Sequence, residues 1–181
     1  SRQTFRSYGK RQSNIKRLLA YSSISHVGFM LLAISTFTFD STVMLYLIIY
    51  VSMTLGVFAL IMSIENKGKL VTELNDLAGL SKVKPLAAIA LGIFMFSLAG
   101  IPPFAGFFAK FYVLQAAIQA ELYITVVIAV VAAVISAYYY LKIVKIIYLD
   151  EVKGELTVNL SWCHKPIILL LVLFNLCYIM L

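Results

Sequence analysis

Two side chains in this sequence can carry a proton from within apolar surroundings. Lys110 lies in the stretch Ser97-Leu-Ala-Gly-Ile-Pro-Pro-Phe-Ala-Gly-Phe-Phe-Ala-Lys-Phe-Tyr-Val-Leu114, seven residues past Pro103. A charge at the centre of a bilayer costs about 2.5 kcal/mol or more, so such a residue faces protein or water. A lysine that can lose its proton can relay one. The plainer alternatives are a structural ion pair or a side chain snorkelling to the surface, but Gln119 is nine positions further on, past Phe111 and Tyr112. His26 follows Tyr21-Ser-Ser-Ile-Ser, and on a helix Ser22 and Ser23 share its face. Imidazole titrates near neutral pH when unperturbed, which suits a proton carrier. A neutral histidine satisfied by a helix neighbour is the alternative. Lys142, in Tyr138-Tyr-Tyr-Leu-Lys, reads either as an interfacial anchor or as an inward-reaching extension of an outlet.

The element that must position Lys110 is a broken helix. Gly100, Pro102, Pro103 and Gly106 interrupt one long apolar run, and the two prolines remove backbone donors. Backbone groups freed at membrane depth must be re-satisfied by water, side chains or neighbouring helices. Discontinuous helices beside an ionisable residue are a recurring way to build ion paths in transporters.

The rest of the chain supplies the scaffold. Its 181 residues are 62% hydrophobic and 13% charged, against about 25% charged in a soluble domain. Mean hydropathy is +0.95. Apolar runs over Leu18–Thr36, Val43–Met62, Pro85–Gln119, Ile124–Leu149 and Ile167–Leu181 are suited to crossing a hydrocarbon core of about 30 Å. The third is too long for one straight span and is read as two halves of one. The expected fold is an all-α polytopic bundle of five transmembrane spans, with one discontinuous helix broken at Pro102-Pro103. Asn14 is an expected N-cap of span one, and Pro85 an expected first-turn residue of span three. The connection Glu65–Lys84 is long enough for a short amphipathic helix at the surface. Spans two and five read as packing helices.

Charge sets the orientation. Of the 15 Lys and Arg, all but Lys110 fall in residues 1–17, 64–84 and 142–165. The connections Phe37–Thr42 and Ala120–Tyr123 carry only Asp40 and Glu121. This alternation is the positive-inside pattern, and it places the N-terminus on the matrix or cytoplasmic side. The net charge of +7 is thus topological, and nucleic acid is not an expected partner; lipid is. The two cysteines, Cys163 and Cys177, read as small apolar side chains, and His164 beside Cys163 lacks zinc-ligand spacing, so no metal site is expected. No phosphate loop, dinucleotide fingerprint or nucleophile elbow is present. Residues 1–17, basic and acid-free, read as a loop segment, with a transit-peptide remnant as the alternative.

Several of these runs in order carry a resemblance. Asn14-Ile-Lys-Arg-Leu-Leu-Ala-Tyr-Ser-Ser-Ile-Ser-His26, Asp76-Leu-Ala-Gly-Leu-Ser81, Ser97-Leu-Ala-Gly-Ile-Pro-Pro103, Gly106-Phe-Phe-Ala-Lys-Phe-Tyr-Val113 and Tyr138-Tyr-Tyr-Leu141 resemble the NADH dehydrogenase subunit 2 family, the smallest antiporter-like subunits of respiratory complex I. Lysine ahead of Phe-Tyr-Val-Leu resembles subunit 2 better than subunit 4, whose matching position is typically glutamate. That family folds as about fourteen helices in two inverted repeats, each with a broken helix; residues 18–181 resemble the second repeat plus the helices after it. The resemblance implies that Lys110 is the outlet lysine of a central polar axis and that His26 links it to a middle lysine. The family's first-repeat glutamate–lysine pair and its middle lysine have no counterpart here.

The resemblance therefore implies a membrane-arm subunit of the proton-pumping NADH:ubiquinone oxidoreductase in the mitochondrial inner membrane, the bacterial inner membrane being the alternative. No redox chemistry is expected on this chain; NADH, flavin, iron–sulfur clusters and ubiquinone would act on other subunits. Expected partners are other membrane-arm subunits and a separate chain carrying the missing N-terminal half, since residues 1–13 do not resemble the family's preceding helix. A fragment of a longer polypeptide is the alternative. Competing functions are a subunit of a multi-subunit sodium/proton antiporter, which shares the fold, and a non-conducting scaffold of the membrane arm.

Overall fold

The computed structural model describes residues 14–36, 41–160, 162 and 164–178. Seven α-helices are described: α1 Ile15–Ser35, α2 Thr42–Ile61, α3 Leu80–Val83, α4 Pro85–Ala99, α5 Ala105–Gln119, α6 Tyr123–Leu149 and α7 His164–Cys177. Helices α1, α2 and α6, of 21, 20 and 27 residues, are long and apolar enough to cross a membrane. Helices α4 and α5, 15 residues each, are about 22 Å long and together form the broken span. The expected all-α bundle with a discontinuous third span is the fold observed. The basic segment Ser1–Ser13, Asp40 and Cys163 lie outside the described residues.

Local chemistry explains the ends. Asn14 caps α1, its Oδ1 accepting the Arg17 amide at 3.1 Å, and Pro85 occupies the first turn of α4, where a missing N–H costs nothing. Helix α4 stops at Gly100, whose φ of +79° turns the chain out of the helix. The amides of Gly100 and Ile101 then return to the Phe96 carbonyl, both at 3.1 Å, and that of Gly100 also reaches the Ser97 carbonyl at 3.0 Å, which satisfies acceptors that the helix end leaves open. The Pro102–Pro103 peptide bond is cis.

The connection Glu65–Lys84 departs from the expected amphipathic helix. Strands β1 Ile64–Asn66 and β2 Lys69–Leu70 form a hairpin through Lys67 and Gly68, at φ +53° and +72°, a turn conformation that competes with helix formation. The strand β3, Leu156–Val158, pairs antiparallel on the other side of β1, with Ile64 opposite Val158. A 3-10 turn over Leu74–Leu77, capped reciprocally by Glu73 and Asp76, buries Leu74 and Leu77. It ties down the start of α1, whose Ile15 amide donates to the Thr72 carbonyl at 3.0 Å. This small cap joins both basic connections at one end of the bundle.

Helix packing relies on small residues. Gly56 of α2 lies against the Phe94 ring of α4, where a methyl group would overlap it. The core runs through Ile49, Met53, Leu60, Leu91, Phe94, Leu98 and Val113. The outer face of α6 is apolar and open, with Ile124 80% exposed, as suits a surface facing lipid or protein.

Candidate functional site

Lys110 is buried, 7% exposed, one and a half turns into α5. Its ammonium donates to the Leu98 carbonyl at 2.9 Å and the Ala99 carbonyl at 3.2 Å. Both belong to the last turn of α4, whose carbonyls have no intrahelical partner, and a cation there is further favoured by the helix dipole. The break thus makes a site for the charge, and the charge closes the break. The fit is close: Gly100 passes 3.2 Å from Nζ, measured from where a Cβ would sit. On the other side of the break the Gly106 amide donates to Ser97 Oγ at 3.0 Å. A methyl group at Gly106 would collide with the Ser97 carbonyl oxygen, so α5 can approach α4 this closely only with glycine there.

His26 occupies a different kind of site. It is 3% exposed and held between three helices. Its Nδ1 pairs with the Tyr46 hydroxyl of α2 at 2.8 Å and its Nε2 with the Tyr140 hydroxyl of α6 at 3.2 Å. Tyr50, one turn along from Tyr46, stacks on the imidazole at 4.7 Å between centroids. Each hydroxyl both donates and accepts, so either tautomer of a neutral imidazole is satisfied. Between His26 and Lys110 stands Phe29: its ring stacks on Tyr46 at 6.0 Å and carries the Lys110 ammonium 5.8 Å from its centroid. Among the described residues, hydrogen bonds do not join the two groups, so proton passage between them needs water.

Lys142 is at neither site. It lines a cavity of about 500 Å³ between α1 and α6, with Leu18, Tyr21, Ser22 and Ser136. Depth along the helices orders the three residues. Measured from the end of the bundle that carries the small sheet, Lys142 and Ser22 lie about 10 Å in, His26 about 16 Å and Phe29, against Lys110, about 21 Å. The expected extension of an outlet beyond Lys110 is therefore not the position found: Lys142 lies on the opposite side of His26. The reason is that α6 runs back toward the basic connections, so its last two turns share a level with the start of α1.

Three groups escaped the sequence reading. Tyr46 and Tyr50 stood in a span read as uncharged scaffold; their spacing of four put them on one face. In Tyr138-Tyr139-Tyr140, read as interfacial, Tyr138 is 62% exposed but Tyr140 only 1%. Tyr140 shares a face with Ser136, Ile143 and Ile147, which are buried with it on α6, but no signal in the sequence singled out that face from its neighbours. Asn175, read as minor polar relief in a packing helix, is fully buried and bonded to Ser97 and Ser52.

Comparison with known proteins places this architecture. A family model described as NADH:quinone oxidoreductase/Mrp antiporter, transmembrane, matches residues 6–136. The chain belongs to this family. Similar members are the NADH-quinone oxidoreductase subunit N of Azorhizobium caulinodans, 60% identical over 77% of this chain and 30% of that protein, and its namesake in Rhodospirillum rubrum, 48% identical over 77% and 29%. A chain in the structure of respiratory complex I from Thermus thermophilus with bound aureothin superposes with a TM-score of 0.78 and 32% identity, over 92% of this chain and 39% of that one. A second Thermus thermophilus complex I structure, with bound NADH, gives 0.72 and 25% over 91% and 35%. The chain spans about a third of the length of the curated relatives it matches. Within the family region lie α1, α2, α4, α5 and the first half of α6, hence both His26 and Lys110; α7 lies beyond it.

Proposed function

We propose that this chain is the part of a membrane-arm subunit of proton-pumping NADH:quinone oxidoreductase that carries protons past Lys110, the counterpart of bacterial subunit N and of subunit 2 in mitochondria. The observation that carries the reading is a buried ammonium whose bonds are to carbonyls freed at a helix break. Among the described residues no α-helix contains a carboxylate, so nothing within the spans fixes Lys110 permanently in its charged form. Its two carbonyl partners favour the ammonium; movement of α4 against α5 would withdraw them and release the proton.

In this reading water in the cavity beside Lys142 and Ser22 delivers protons to Tyr140 and His26, and His26 passes them toward Lys110. Lys142 serves access from the basic side. Residues 1–17 are a basic segment of that side, the matrix side of a mitochondrial inner membrane, and residues 18–181 a membrane domain equivalent to the second repeat plus the helices after it. The carboxylate and further lysines of a complete path come from the rest of the subunit, on the same or a second polypeptide, and from neighbouring membrane-arm subunits. Flavin, iron–sulfur clusters and quinone act on other subunits.

The test is Lys110→Met in the assembled complex, with NADH-driven proton uptake measured in inverted membrane vesicles. Pumping is expected to fall about tenfold or more, in keeping with loss of a proton-transfer group, while NADH oxidation by an artificial acceptor at the hydrophilic arm is retained. Unchanged pumping would leave the chain a scaffold. Sodium-dependent proton exchange without NADH would instead indicate an antiporter of the Mrp kind.

A further inference from the structure

Asn175 of α7 has all its hydrogen-bonding groups engaged. Its Oδ1 accepts the Ser97 hydroxyl at 2.8 Å, and its Nδ2 donates to Ser52 Oγ at 3.2 Å and to the Leu171 carbonyl at 2.9 Å. Ser97 in turn accepts the Gly106 amide. One amide group thus gathers α2, α4, α5 and α7 at the helix break, 0% exposed.

Ser97 departs from the pattern that five other serines in these helices follow. Ser22, Ser23, Ser35, Ser52 and Ser136 each donate their hydroxyl proton to a carbonyl three or four residues back in their own helix, at 2.7–2.8 Å. That back-bond is the default for a helical serine in apolar surroundings. Ser97 gives its proton to Asn175 instead, which leaves its oxygen aimed at Gly106. The Gly106 amide, in the first turn of α5, has no acceptor within its own helix and needs that oxygen.

We infer that Asn175 is a positioning residue for the broken helix: by taking the Ser97 proton it holds Ser97 on the Gly106 amide, and so keeps the Leu98 and Ala99 carbonyls on the Lys110 ammonium. The geometry of the break is then set by a helix outside the family-matched region. The functional consequence rests on the relay reading of Lys110; the structural claim does not.

The two are separated by measuring hydrogen–deuterium exchange in the assembled complex in nanodiscs, alongside NADH-driven pumping. Asn175→Leu, close in volume, should speed exchange of the first-turn amides of α5 about tenfold, since a buried donor loses its fixed partner, and lower pumping with it. Ser97→Ala should do the same. The double variant should add nothing further, because both act through one bond. Unchanged exchange at Gly106 in Asn175→Leu, or effects that add, would overturn the inference and leave Asn175 a packing residue. Should Asn175→Leu fail to assemble, Ser97→Ala decides alone, with unchanged exchange again overturning it. Faster exchange with undiminished pumping upholds the positioning role and shows that transfer at Lys110 tolerates a looser break, while lost pumping in Lys110→Met alone decides the relay reading.

Discussion

The sites of Lys110 and His26 solve one problem in opposite ways. Each is a titratable group with almost no solvent exposure in an apolar bundle. Lys110 is satisfied by its own segment: the carbonyls that hold it lie 11 and 12 residues back, on the other half of the same broken span. His26 is satisfied by side chains from α2 and α6, 20 and 114 residues away. A local solution uses backbone groups, which every residue carries, so it depends on where the chain bends. A distant solution uses particular hydroxyls, so it depends on how helices face one another.

The contrast can be broken from the Lys110 side with the largest effect. Gly106→Ala puts a methyl group into the Ser97 carbonyl, and backbone on both sides leaves little room to relax. The resulting cost is about 3 kcal/mol, expected as loss of the assembled complex on native gels at growth temperature. Assembly at parental levels would mean that α4 and α5 can separate cheaply, and the local account of Lys110 would fail.

A smaller effect tests the His26 side. Tyr46→Phe leaves Nδ1 of a buried imidazole without its partner, a cost of about 1–3 kcal/mol. Heat should release the subunit at lower temperature, with exchange around the helix break unaltered. Tyr140→Phe, which removes the longer bond, should cost less. Coupled changes at both sites would show that Phe29 transmits more than packing. Smallest of all is Ser25→Ala. Ser25 pairs with Ser136 at 3.3 Å, and Ser136 keeps its own bond to the Ala132 carbonyl at 2.8 Å. Stability should change by less than about 0.5 kcal/mol and pumping not at all; a pumping defect would make the α1–α6 contact a link in proton access to His26.

Legibility divided along the same line. The positions of the spans and of the break could be read from composition, because apolar length and the Gly100–Gly106 cluster act through backbone chemistry alone. Asn14 and Pro85 could be read as helix starts for the same reason. The connection Glu65–Lys84 could not: the strands there are two or three residues long, and β1 is completed by β3, about ninety residues away. Tyr140 could not be told from Tyr138 and Tyr139, since which of three adjacent tyrosines turns inward depends on how α6 is rotated against α1. Asn175 looked incidental, because its partners sit in two other helices.

The sequence by itself determined the membrane class of the chain, its span pattern, the alternation of charge across its connections and the presence of a cation beside a helix break. These come from hydrophobic length, proline and glycine geometry, and the cost of a charge in hydrocarbon, all of them local. Only the tertiary structure decided that His26 is enclosed by tyrosines, that Lys142 lies on the near side of His26, and that Asn175 meets the broken helix. Those outcomes depend on the rotation and depth of one helix relative to another, which close packing of distant side chains sets and no single segment encodes.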